Sequence, residues 1–102
     1  MKIVLAYITN PSKKSAEKLA TQLLKKRLIA CANIFPIKSS YWWKSKLQRS
    51  SEHVLLGKTT AAKFAALRKE VEKLHPYDVP CILKISADAN ESYGKWIDKE
   101  TK

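Results

Sequence analysis

The chain has 102 residues, 45% of them hydrophobic and 28% charged, a balance that supplies one domain with a core and excludes a disordered segment. Twenty Lys and Arg against nine Asp and Glu leave a formal charge of +11, yet the cations are spread along the whole chain with no basic tail, so they read as a solvated surface and nucleic acid is not an expected partner. No run approaches the roughly 20 apolar residues of a membrane span, and two cysteines suit neither a disulfide scaffold nor a closely spaced zinc site, so the expected setting is cytoplasmic and reducing.

Lys2 to Thr9 carries Ile3, Val4, Leu5, Tyr7 and Ile8 and reads as a first strand buried on both faces. Asn10 is placed to cap a helix, with Pro11 in its first turn. Ala16, Leu19, Ala20, Leu23 and Leu24 then recur at helical spacing, and that helix should end near Arg27. Ile29 to Trp43 reads as one long extended stretch in which Pro36 demands an edge position or a bulge. After the polar interval Lys44 to Lys46, Leu47 to Thr59 forms the return strand of a long hairpin whose turn lacks Asn or Gly.

Thr59 or Thr60 can open a second helix with Phe64, Leu67, Val71 and Leu74 on one stripe, closed by His75 and Pro76. Cys81 to Ala87 alternates as a last strand, Cys81, Leu83 and Ile85 sharing a face. Asn90 can cap a final helix with Tyr93, Trp96 and Ile97 on its stripe, where Gly94 costs about 1 kcal/mol relative to alanine.

The order β, α, β, β, α, β, α predicts a single α/β domain over residues 1–102. Right-handed crossovers put both main helices on one face of an antiparallel ferredoxin-like sheet, in strand order 4-1-3-2. The other face needs a cover. Phe35, Ile37, Tyr41, Trp42 and Trp43 supply more apolar surface than one small domain shields, which predicts self-association. Cys31 and Cys81 fall on opposite edges of that sheet. They are too far apart to bridge within one chain, but can approach where two sheets meet edge to edge.

The strings Arg27 to Asn33 (RLIACAN), Tyr41 to Trp43, Lys58 Thr59, His75 to Pro80 (HPYDVP) and Tyr93 with Trp96, in this order and spacing, resemble the CutA family of divalent-cation tolerance proteins over nearly the whole chain. The resemblance implies a ferredoxin-like subunit with a long β2-β3 hairpin and a C-terminal helix, assembled as a homotrimer through the hairpin strands. It also implies binding of copper or other divalent cations, a role in metal tolerance or response, and a loose likeness to PII signalling trimers. The chain departs from the family where Lys44 Ser45 replaces Glu Gly, Gly57 an apolar residue, Cys81 a frequent Glu, and Gly94 a Leu. Loss of those carboxylates shifts the expected preference toward soft ions such as Cu(I), with Cys81 supplying a thiolate.

Candidate metal ligands are therefore Cys31, His75 and Cys81. Each has a plainer reading: a small buried residue for the cysteines, a helix cap for His75. Tyr41, Trp42 and Trp43 either stack on a ligand or fill an interface. Lys58 can hold an anion with the free amides of the following helix. From the family, Tyr77 and Trp96 are expected to line one cleft between subunits. No phosphate loop, nucleophile elbow or HExxH pair occurs, so no enzyme activity is expected. The alternatives to a metal-binding trimer are a PII-like sensor of a small molecule or anion and, more weakly, a basic nucleic-acid binder.

Overall fold

Seven elements follow one another in the computed structural model, which describes residues 1–102: β1 (Lys2–Asn10), α1 (Lys13–Lys25), β2 (Cys31–Trp43), β3 (Lys46–Thr59), α2 (Ala61–Leu74), β4 (Ile82–Asp88) and α3 (Glu91–Glu100). The strands make one antiparallel sheet in the order β2-β3-β1-β4, which is the expected ferredoxin-like order read from its other edge.

The first helix cap lies two residues beyond the expected one. Asn10 stays in the ladder opposite His53, buried, and its amide donates to the carbonyls of Ile8 and His53. With Asn10 held by the sheet and Pro11 extending the connection, Ser12 caps α1, its hydroxyl accepting from the Ser15 N–H at 3.0 Å. At the other end Arg27 takes the left-handed conformation (φ 58°). The Leu28 and Arg27 N–H groups donate back to Leu23 and Leu24, a Schellman ending without its usual glycine.

Pro36 produces no bulge. The pairing runs unbroken through Phe35 with Val54, Pro36 with His53 and Ile37 with Glu52, because β2 is an edge strand and the missing donor faces away from its single partner. The two-residue turn Lys44 Ser45 places both residues at positive φ (50° and 64°), the geometry normally given to Asn and Gly. The ladder of β2 and β3, paired from Cys31 opposite Lys58 to Trp43 opposite Lys46, holds that turn closed despite its residues. Thr60 and Asn90 hold the expected N-cap positions of α2 and α3, but neither side chain accepts a bond from a helix N–H; the Asn90 amide instead donates to the Ser92 hydroxyl at 3.1 Å. Leu74, expected on the core stripe, is exposed at the end of α2.

Strand alternation divides the sheet. Ala6, Ile8 and Leu55 face α1 and α2 and pack with Leu19, Ala20, Leu23, Leu67 and Val71 in the principal core. Gly57 sits in this layer between Ala6 and Ala32, where the Ile29 methyl occupies the space a side chain would take. A Cβ on Gly57 would lie 2.9 Å from Ile29 Cγ2, and Ile29 is itself buried. Gly57→Ala should therefore lower stability by about 1–3 kcal/mol, read from the urea midpoint, because overpacking outweighs the entropy that alanine saves. Gly94 is filled in the same manner by the Met1 side chain.

Candidate functional site

The opposite face of the sheet carries Leu5, Tyr7 and Thr9 of β1, Val54 and Leu56 of β3, Phe35 and Ile37 of β2, and Leu83 and Ile85 of β4, by the same alternation. Phe35, Leu83 and Ile85 are 38%, 49% and 41% exposed. This is a large apolar surface for a chain of this size.

At one end of this face the segment Pro76 to Val79 and the aromatic hairpin rise on either side of the sheet and leave a cleft of about 980 Å³. Tyr41, Trp42 and Trp43 line it together with Tyr7, Tyr77 and Cys81. Its floor holds Glu52, 7% exposed and the only charged side chain among the buried residues. The Tyr77 hydroxyl donates to Glu52 Oε2 at 2.8 Å. Burial raises the Tyr77 phenol well above the usual range, and the bond to Glu52 and its negative charge push in the same direction. Burial also raises the Cys81 thiol, opposed by a hydrogen bond with Thr9 and reinforced by the Glu52 charge.

His75 builds the cleft wall without entering it. Its Nδ1 accepts the Tyr77 N–H at 3.2 Å, so the proton resides on Nε2, which donates to the Thr9 carbonyl at 2.7 Å. Both ring nitrogens are committed to backbone groups, and the ring packs edge-on against Tyr77 at 4.8 Å. The ring bonds no helix carbonyl: His75 ends α2 through its backbone N–H, which donates to the Val71 carbonyl at 2.8 Å, while its side chain fixes Tyr77 over Glu52.

The other candidates lie at the far end of the sheet. Lys58 follows strand alternation onto the open face, away from the first turn of α2, so the expected anion site with those amides does not form. Its ammonium instead donates to the Tyr93 hydroxyl at 3.3 Å and lies 5.3 Å from that ring. Trp96 stacks on Tyr93 at 5.6 Å. Cys31, half-buried, is the cross-strand neighbour of Lys58. Within one chain Trp96 and Tyr77 thus belong to different ends of the sheet rather than one cleft.

Cys31 and Cys81 share the open face but occupy opposite edges and differ by four rows along the strands, a separation on the order of 19 Å from strand geometry. The two thiols are free. No three His, Cys, Asp or Glu side chains converge in a single chain.

Glu52 is the functional residue missed at the sequence level. Its signal was present: it continues the row of Val54 and Leu56, so an acid sits in phase with the apolar face instead of the solvent-facing one.

The model of the CutA1 divalent ion tolerance protein family matches residues 4–100. A relative from Archaeoglobus fulgidus, named divalent-cation tolerance protein CutA, is 45% identical over 94 residues, covering 91% of this chain and 92% of its own. One of the same name from Pyrococcus horikoshii is 43% identical over 101 residues, covering 98% and 99%. Among solved structures, that of the periplasmic divalent cation tolerance protein CutA from Archaeoglobus fulgidus superposes with a TM-score of 0.96 at 42% identity, covering 98% and 99% of the two chains. CutA1 from Pyrococcus horikoshii superposes at 0.93 with 42% identity, covering 97% and 98%.

Proposed function

The chain belongs to the CutA1 divalent ion tolerance family, and from that premise we propose that it assembles as a homotrimer, binds divalent metal ions with copper favoured, and serves in tolerance of or response to them. The observation that carries this reading is the placement of two half-buried thiols on one apolar sheet face, at its two free edges. In a ring of three copies, the β2 edge of each meets the β4 edge of the next, so each boundary brings a Cys31 edge to a Cys81 edge. The apolar face then turns inward, which removes its exposed Phe35, Leu83 and Ile85 from water.

Thiolate donors favour copper over the hard ions that carboxylates hold. Cys81 gives each chain one soft donor beside its β4 edge, to be completed by a donor of the neighbouring copy. Two unbridged thiols also suit a reducing, cytoplasmic setting.

The test is a mass measurement in dilute solution followed by copper titration of the wild type and the Cys31→Ser, Cys81→Ser double variant. The expected result is a trimer whose copper binding releases protons, because a thiol with a raised pKa must ionise to coordinate, and a double variant weakened by at least about tenfold. A monomer, or unchanged copper affinity in the variant, would overturn the assignment.

A further inference from the structure

A buried carboxylate with no cation beside it is costly, because a neutral donor offsets only part of the hydration that the ion has lost. Glu52 is in that position. Its hydrogen-bond partner is the Tyr77 phenol, and none of the six ion pairs of the chain includes it. Asp78 adds a second acid to the lining of the same cleft, while the one ammonium there, Lys38, donates to the Ser51 hydroxyl at 2.9 Å. A chain of net charge +11 therefore has a cleft whose lining carries more acid than base.

The walls add a second constraint. Tyr7, Tyr41 and Tyr77 line the cleft together with the acid, and aromatic faces attract cations through their quadrupole while offering carbon surface to an apolar body. A volume of about 980 Å³ falls in the range that accepts a small molecule. Nucleotides and other anions would meet Glu52 and Asp78 directly. A hydrated metal ion would gain little from the ring faces, whereas an alkylammonium uses rings and carboxylate together.

We propose that this cleft is a binding site for a small organic ammonium ion, its charge against Glu52 and its carbon body between Tyr7, Tyr41 and Tyr77. The site is separate in ligand class from the metal reading and does not depend on Cys31.

The experiment is titration of the assembled wild-type protein with choline chloride at fixed ionic strength, followed by tryptophan fluorescence and calorimetry. Its uncharged carbon analogue, 3,3-dimethyl-1-butanol, is run in parallel. Saturable choline binding is expected, with the analogue weaker by roughly tenfold or more. Glu52→Gln, which preserves shape and an acceptor for Tyr77, should lose roughly tenfold in choline affinity while the wild-type mass is retained. Tyr41→Ala, at an exposed hairpin position, gives an independent loss should the glutamine variant fold poorly. The Cys31→Ser variant, altered outside the cleft lining, should bind choline as the wild type does and lose copper affinity, so the two readings stand or fall apart. Equal binding of the analogue, no saturation by choline, or unchanged affinity in both cleft variants would overturn the proposal. A lysine of a second copy already seated on Glu52 would appear as absent choline binding and count against it.

Discussion

Leu55→Ala should lower the stability of this protein by about 2–5 kcal/mol, measured as a fall in the urea midpoint at constant slope. Leu55 is fully buried at the crossing of the sheet and the helix layer, paired with Ile8 on one side and Ile34 on the other. The strand backbones on both sides hold its neighbours in place, so the vacated volume stays open and the loss of contacts adds to the loss of burial. Such a change is a large part of the roughly 5–15 kcal/mol that holds a domain together. Leu83→Ala supplies the contrast, because Leu83 is 49% exposed on the open face. Its effect should be small in a lone chain and should grow under conditions where copies cover that face, with a midpoint that depends on protein concentration. An unchanged midpoint for Leu55→Ala would mean that the core has been misplaced.

Tyr77→Phe should remove about 1–2 kcal/mol near neutral pH, because the buried Glu52 carboxylate loses the hydroxyl that donates to it. Tyr77 is itself only half-buried, so water can enter and recover part of the loss. The same pair predicts an alkaline signature. The phenol pKa is raised in the folded protein, first by burial and then by Glu52, so folding binds the phenolic proton more tightly than the unfolded chain does. The stabilisation is complete below the ordinary tyrosine pKa, about 10, and is lost as pH rises beyond it. Cys81 is raised as well and acts in the same direction from somewhat lower pH. Urea midpoints between pH 8 and 11 should therefore fall more steeply in the wild type than in Tyr77→Phe, with Cys81 contributing equally to both. Parallel pH profiles would remove the Tyr77–Glu52 bond from the account of the cleft.

Much of the architecture was legible because local patterns agreed with one another. The spacing of Ala16, Leu19, Ala20 and Leu23 marks the buried stripe of α1, and the short run Lys2 to Thr9, apolar on both faces, marks a central strand that the sheet extends by one residue. The errors occurred where two local rules competed. Asn10 satisfies the preference for a cap, but its amide does more in the ladder, where it meets two carbonyls. Lys44 Ser45 has poor turn chemistry, but the paired strands behind it outweigh the local cost. Lys58 stands next to the helix start in sequence, but strand alternation turns it to the other face.

The candidate site was legible only as residue types. Tyr41, Trp43, Tyr77 and Cys81 were all singled out, but their convergence depends on the β2-β3 register and on the path of Pro76 to Val79 across the sheet. The elements, their order and an apolar surface in excess of one core's needs can be read from the chain alone, since they follow from side-chain periodicity and composition along short stretches, and the family is carried by the strings RLIACAN and HPYDVP. That His75 is spent on backbone groups, that Cys31 and Cys81 lie at opposite corners of one face, and that Glu52 lies beneath Tyr77 emerges from the folded chain alone. Those facts depend on which distant strands pair and in what register, and pairing energy is shared over many residues instead of being carried by any one of them.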